Sequence, residues 1–185
     1  MSEIKSPLRY PGGKSRFVKL ICPLLGEFEE YREPFAGGAS VFFHLFHLYG
    51  DKKKYWINDI FHDLYVFYTH LMFDHQNLIK KIREYKEKFE NGKDLYYYIK
   101  KNEQTPVGVD RAAFFFIMNR ITFSGVSYCG GYSQQSYETR FTESSILRLE
   151  DAAIPCGHMQ CTCLDYSKLM QSPSLHGIKN ENIVC

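Results

Sequence analysis

Apolar positions along the chain follow two regimes that change over near residue 60. Before it, short apolar runs alternate with glycine turns. The spacing predicts an extended segment near Glu30 to Phe35, a tight Gly37-Gly38-Ala39-Ser40 turn, and an apolar helix from Val41 to Leu48 with Ser40 placed to cap it. Lys54 to Asn58 reads as a second strand, ending at Asp59. Strand, glycine turn, helix, strand and acid make a βαβ unit, which predicts a parallel pair. Ahead of that unit, Pro7 to Lys14 is rich in turn residues and Ser15 to about Leu25 reads as a helix.

From Ile60 to about Arg148 the periodicity is helical. Leu64 to Phe73, Leu78 to Phe89, Leu95 to Lys101 and Asp110 to Ile121 each carry an apolar face, with breaks at Asn91-Gly92 and Thr105-Pro106. Thr122 to Thr142 is polar and holds Gly125, Gly130 and Gly131, so it is expected to be a loop or hairpin. Strand alternation returns at His158 to Cys163. A short helix is predicted at Asp165 to Met170, and a further strand begins at Asn182 to Cys185. The fold class expected is therefore α/β: residues 1–60 and 155–185 form a sheet-containing portion, and residues 61–154 form an inserted helical lobe.

At 185 residues, 44% hydrophobic and 16% aromatic, the chain can bury one sizeable core but not two full domains. No apolar run reaches the roughly 18 to 20 residues of a membrane span, and Met1-Ser2-Glu3-Ile4-Lys5 lacks a signal peptide's apolar stretch, so no membrane association is expected. A soluble, cytoplasmic protein is the reading. The net charge of +2 is uninformative, but the distribution is not. Met1 to Leu20 holds five basic residues against one acid, and Ile79 to Lys101 holds eight against four, which suits a phosphate backbone if those residues share a face. Solvated helix faces would give similar counts. Of six cysteines, Cys156, Cys161 and Cys163 cluster with His158, yet no Cys-x-x-Cys pair is present. The strand-like alternation through Cys161 and Cys163 argues for reduced thiols beside core neighbours, and no metal site is expected.

A glycine turn after a strand lets backbone approach a ligand, and an acid ending the next strand can accept from both ribose hydroxyls. Gly37 and Asp59 lie 22 residues apart, close to the roughly 20 of nucleotide-binding βαβ units. The turn is not G-x-G-x-x-G, which disfavours a dinucleotide pyrophosphate. Gly13-Lys14-Ser15 lacks the upstream glycine of a phosphate-binding loop, since that position is Leu8. A phosphate-free nucleoside remains, for which S-adenosylmethionine is the commonest fit: ribose on Asp59, adenine against Ile60, methionine end over Phe35 to Gly38. The competing reading is an ordinary α/β crossover with Asp59 facing solvent. Asp63, one helical turn on, is expected to be solvated.

Leu8-Arg9-Tyr10-Pro11-Gly12-Gly13-Lys14, Glu33-Pro34-Phe35-Ala36-Gly37-Gly38-Ala39-Ser40-Val41-Phe42, Asn58-Asp59 and Asn119-Arg120-Ile121-Thr122-Phe123-Ser124-Gly125 occur in that order. Together they closely resemble the Dam-type, class alpha adenine-specific DNA methyltransferases, from the N-terminal motif to the Asp165 region. The resemblance implies a Rossmann-like sheet and methyl transfer from S-adenosylmethionine to the adenine amino group of double-stranded DNA, in a bacterial or phage-encoded protein. It implies that Tyr10 and Lys14 contact the methionine end, that Phe35 and Gly37 line the pocket, and that Asp59 holds the ribose. Glu33 falls on the cofactor side and Asp165 matches a position near the adenine. The helical lobe resembles a target-recognition insert, with Arg120, Ser124 and Arg140 facing DNA.

One departure matters. The family's catalytic Asp-Pro-Pro-Tyr is expected just after Asn180 to Cys185, and the seven prolines of this chain include no adjacent pair. No catalytic residue is therefore assigned. The expectations are an incomplete sheet, no transfer by these residues alone, and three readings of the protein: an N-terminal portion of a methyltransferase, a DNA- or cofactor-binding remnant, or half of a split enzyme that pairs with a complementary C-terminal fragment. Methylation of RNA or a small molecule is disfavoured by the large helical insert.

Overall fold

The computed structural model describes residues 4–185, and the expectation about the first three residues lies outside them. A four-stranded, all-parallel sheet runs in the order β3-β2-β1-β4, where β1 is Glu30–Glu33, β2 Lys54–Asn58, β3 Met159–Thr162 and β4 Ile183–Val184. Tyr31 pairs with Tyr55 across β1 and β2, Trp56 with Gln160 across β2 and β3, and Glu30 with Ile183 across β1 and β4. The chain steps outward from β1 to β2 and β3, then returns to the other side of β1. Parallel sheets bind ligands beyond the carboxyl ends of their strands, where the order reverses. Here that place is the end of β1.

Helix α1 (Val18–Ile21) is short because Pro23 interrupts the expected helix, and Cys22–Leu25 continues as a 3₁₀ turn. Strand β1 stops at Glu33, two residues before the expected end, since Pro34 cannot donate to a ladder. Helix α2 (Ser40–Tyr49) covers one face of the sheet through Val41, Phe42, Phe43 and Leu45. Its start corrects one expectation. Ser40 is the first helical residue rather than the cap, the cap position falls to Ala39 in a left-handed conformation, and no side chain there bonds the helix. Instead the Phe42 amide in the first turn donates to a carboxyl oxygen of Glu33 at 3.2 Å, so a strand-end acid performs the capping.

The central stretch is helical as its spacing predicts: α3 (His62–Phe73), α4 (His75–Lys88), α5 (Gly92–Asn102) and α6 (Gly108–Ile121). Every residue of α6 from Ala112 to Ile121 is buried, and a helix apolar on all sides must be surrounded. It packs against α3 and α4. Phe67 of α3 stacks on Phe116 with ring centroids 5.9 Å apart, and lies 5.7 Å from Phe115.

The Thr122 to Thr142 region is only partly the expected loop. Thr122 bridges Tyr132, two 3₁₀ turns lie between them, and α7 (Gln134–Arg140) follows. Helix α8 (Glu143–Cys156) then leads to β3, and α9 (Tyr166–Gln171) follows it. Ser133 and Thr142 cap α7 and α8 by accepting the Ser136 and Ser145 amides at 3.1 and 3.3 Å. One cluster of buried side chains runs from Leu8 through α2, α3, α6 and α8 to Met159, so sheet and helices share a core.

Phe67→Ala should cost about 3 to 5 kcal/mol, because a fully buried ring leaves a cavity that its stacked neighbours cannot fill. Phe73→Ala, at a side chain 79% exposed on the same helix, should change stability by less than about 0.5 kcal/mol. Urea denaturation of both variants measures the contrast.

Candidate functional site

Beyond the ends of β1 and β2 lies a cleft of about 400 Å³ lined by Tyr10 to Lys14, Glu33, Phe35 to Ser40 and Asp59. The turn between β1 and α2 builds its floor. Gly37 has φ +48°, and a Cβ there would sit 2.8 Å from the Tyr10 ring, so only glycine lets that ring lie on the backbone. The Gly37 amide donates to Asp59 Oδ2 at 2.9 Å and the Phe61 amide to Asp59 Oδ1 at 3.0 Å. Tyr68, buried in α3, donates its hydroxyl to the Gly37 carbonyl at 3.1 Å. Each Asp59 oxygen thus takes one backbone donor and keeps a lone-pair direction open, which suits two vicinal hydroxyls.

Asn58 fixes this corner. Its side chain donates to the Pro34 and Leu164 carbonyls at 3.1 and 2.9 Å, and accepts from the Leu164 amide and the Thr162 hydroxyl at 2.9 and 2.8 Å. All its hydrogen-bonding capacity serves to align the ends of β1, β2 and β3. Opposite, the Tyr10 carbonyl accepts from the Gly13 amide at 2.9 Å, and the exposed Lys14 ammonium donates to Gly12 O at 2.9 Å. Burial raises the Glu33 pKa to about 8, against which the Phe42 amide and the Tyr31 hydroxyl act to hold the charge. Burial, then the Asp59 charge, raises that of Tyr10.

The cleft therefore gathers Tyr10, Lys14, Glu33, Phe35, Gly37 and Asp59. Asp165 is outside its lining. It caps α9, accepting from the Ser167 amide at 2.9 Å and the Ser167 hydroxyl at 2.5 Å, which with the backbone bond lowers its pKa. Phe35 is 71% exposed, and its ring lies 5.4 Å from Tyr166, next to Asp165. Ile60, expected against an adenine, is 71% exposed. Among the described residues no three His, Cys, Asp or Glu side chains converge as a metal site would require.

Two expectations need correction. Asp63 is buried rather than solvated, and receives a hydrogen bond from Arg111 Nε at 2.5 Å. Arg120 does not face outward: it is 6% exposed, donates to the Pro7 carbonyl and stacks over Phe116 at 5.1 Å. Its place in the fully buried last turn of α6 turns the side chain inward, and burial with Arg148, Arg9 and Arg140 nearby lowers its pKa to about 10. Ser124 and Arg140 are exposed, Ser124 in a left-handed turn beside the 70% exposed Phe123. Of the basic residues from 80 to 101, Lys81, Arg83 and Lys100 pair with Glu84, Glu143 and Glu103, while Lys86 and Lys88 lie over the rings of Phe141 and Tyr98. Lys80, Lys93 and Lys101 are exposed.

Glu33 sets a pH dependence. Its raised pKa means the native chain holds a proton that the unfolded chain releases near the ordinary 4.5, so stability falls as pH rises from there to about 8. The urea midpoint should decline between those pH values, and Glu33→Gln, which keeps an acceptor for the Phe42 amide, should flatten the decline. An unchanged slope in the variant would remove Glu33 as its source.

The model of the D12 class N6 adenine-specific DNA methyltransferase family matches residues 10–173. The chain is also 32% identical over 127 residues to proteins named DNA adenine methylase from two strains of Vibrio cholerae serotype O1. The matched stretch is 68% of this chain and 44% of each relative, so the chain spans less than half the length of the curated relatives it matches. With a parallel sheet whose strand ends carry the glycine turn and the Asp59 carboxylate, this chain belongs to the D12 class of N6 adenine-specific DNA methyltransferases.

Proposed function

We propose that these 185 residues form the cofactor-binding and DNA-binding part of an adenine-specific DNA methyltransferase. The observation that carries the reading is the Asp59 carboxylate, held by the Gly37 and Phe61 amides at the mouth of a cleft that the Tyr10 ring closes over bare glycine backbone. The donor set fits S-adenosylmethionine, whose chemistry is to supply a methyl group activated by a sulfonium. Asp59 accepts the ribose hydroxyls, and Gly37 and Phe35 line the path to the methionine end. Glu33 faces an ammonium, Lys14 a carboxylate, and the Tyr10 ring excludes water. Glu33 gives up its proton to receive a cation, so affinity rises with pH towards 8. In this reading the adenine lies toward Asp165, the residue that caps α9 just after β3.

Duplex DNA is the partner in this reading. The exposed Ser124 and Arg140, with Lys80, Lys93 and Lys101, supply contacts from the helical residues 61–154, whereas Arg120 acts from inside. Such a protein works where bacterial or phage DNA is, in the cytoplasm, and among the described residues no helix is long and apolar enough to cross a membrane. Transfer to an exocyclic amine needs acceptors for its protons and a surface that stacks on the extruded base. Glu33 and Asp59 are engaged on the cofactor side. The residues for transfer are thus supplied by a segment carrying Asp-Pro-Pro-Tyr, within the same polypeptide or as a complementary C-terminal fragment, and the described residues alone bind without transferring methyl.

Titration calorimetry with S-adenosylhomocysteine should show Asp59→Ala losing about tenfold or more in affinity, since charge-assisted bonds to a ligand are worth about 1.5 to 3 kcal/mol each. Asp63→Ala should bind the nucleoside nearly as wild type and lose about 1 to 3 kcal/mol of stability through the stranded Arg111. Equal affinity losses in both would take Asp59 out of the site. Duplex DNA affinity should fall steeply with salt, and Arg140→Ala should lower the slope of log K against log salt by about 1. An unchanged slope would mean that Arg140 meets no phosphate.

A further inference from the structure

Asn119, at the end of α6, is fully buried and takes no part in lining the cleft. Its side-chain carbonyl accepts from the Arg9 amide at 3.0 Å, and its amide donates to the Arg9 carbonyl at 2.6 Å and to the Gly125 carbonyl at 3.0 Å. One side chain thereby pairs with both backbone groups of the residue before Tyr10 and with buried Gly125 in the loop at residues 123–129. The two segments touch at the same point. A Cβ on Gly125, which has φ +72°, would meet the Arg9 carbonyl at 2.7 Å.

Next along α6, Arg120 donates to Pro7 O, so two consecutive side chains grip the strip that ends in the Tyr10 turn. Tyr10 and Pro11 form a wall between the 400 Å³ cleft and a second cavity of about 700 Å³, whose far side is the Gly125 to Cys129 loop. A shift of that loop therefore has few ways to occur without moving Tyr10, because both N–H donors of the side-chain amide that spans them are already engaged, one on each segment.

We propose that Asn119 is a positioning residue that couples the cofactor cleft to the DNA-facing loop, so that nucleoside binding orders the loop and DNA binding tightens the cleft. The inference rests on the proposed function and names the element that joins its two sites. Asn119→Asp keeps the acceptor for the Arg9 amide but faces two carbonyls with a carboxylate. Gly125→Ala breaks the same junction from the loop side and serves if the first variant does not fold. Ile146→Val, in the core of α8, is the control for lost stability alone.

The experiment measures S-adenosylhomocysteine affinity with and without saturating duplex DNA, and amide hydrogen exchange across residues 123–129 with and without the nucleoside. In the wild-type chain DNA should tighten nucleoside binding by about fivefold or more, the usual scale of coupling between sites, and the nucleoside should slow exchange in the loop. Asn119→Asp and Gly125→Ala should bring both effects close to nil, while Ile146→Val keeps them. Independent binding in wild type, or coupling that survives in both junction variants, overturns the inference and leaves the functional reading standing. A wild-type chain that binds no nucleoside overturns the functional reading, and the coupling with it.

Discussion

The Tyr10 ring resting on the bare backbone of Gly37 is the contact around which the cleft is built. Any Cβ at 37 would collide with the ring. The left-handed turn that follows also sets where α2 begins, and so aims its first-turn amides back at Glu33. Asp59 is drawn to the same point by the Gly37 amide, and Tyr68 reaches Gly37 O from below. Strand end, turn, helix start and N-terminal strip therefore share one residue without a side chain. A glycine here does two jobs that no other residue can combine: it takes a positive φ and admits an aromatic face at contact distance.

Much of this was legible in the sequence, for a physical reason. The βαβ unit announces itself because strand and helix periods differ and glycine marks the switch between them. The strands at residues 54–58 and 159–162 and the four central helices lie where apolar spacing puts them, since buried faces leave a strong periodic trace. Helices α7 and α8 left a weaker one. Their signals are the caps Ser133 and Thr142, polar residues in a stretch whose glycines and serines otherwise read as loop. Ser40 misled in the opposite direction, because a carboxyl group seven residues upstream is invisible to any local capping rule.

Side-chain roles were legible less evenly. Gly37 and Asp59 could be paired because backbone geometry constrains both. Burial of charge could not be read in the same way. Asp63 and Arg111 are 48 residues apart in sequence and meet only because α3 and α6 pack face to face. Arg120 looks like a phosphate ligand on composition alone, yet its neighbours Phe116 to Ile121 are all buried, and a helix with no exposed side has nowhere outward to send a guanidinium. An all-apolar run that contains one Asn-Arg pair was the available signal, and it points to polar groups enclosed for a structural purpose.

That purpose is attachment. The buried polar side chains here mostly tie down segments that lack regular structure. Arg32 stacks 4.8 Å over Trp56, bonds Glu30 at 2.7 Å, and donates to the carbonyls of Leu169 and Ser172, which anchors the last turn of α9 and the residue after it to the sheet. Asn58 holds Pro34 and Leu164, and Asn119 with Arg120 holds Pro7 to Arg9. Apolar packing would bury such segments equally well, but it tolerates sliding, whereas a carbonyl facing a fixed donor has one register. Desolvating these groups is costly and is offset only when the bonds are made. The result is irregular backbone held in one conformation around the cleft, which a site that must present Tyr10, Gly37 and Asp59 together requires.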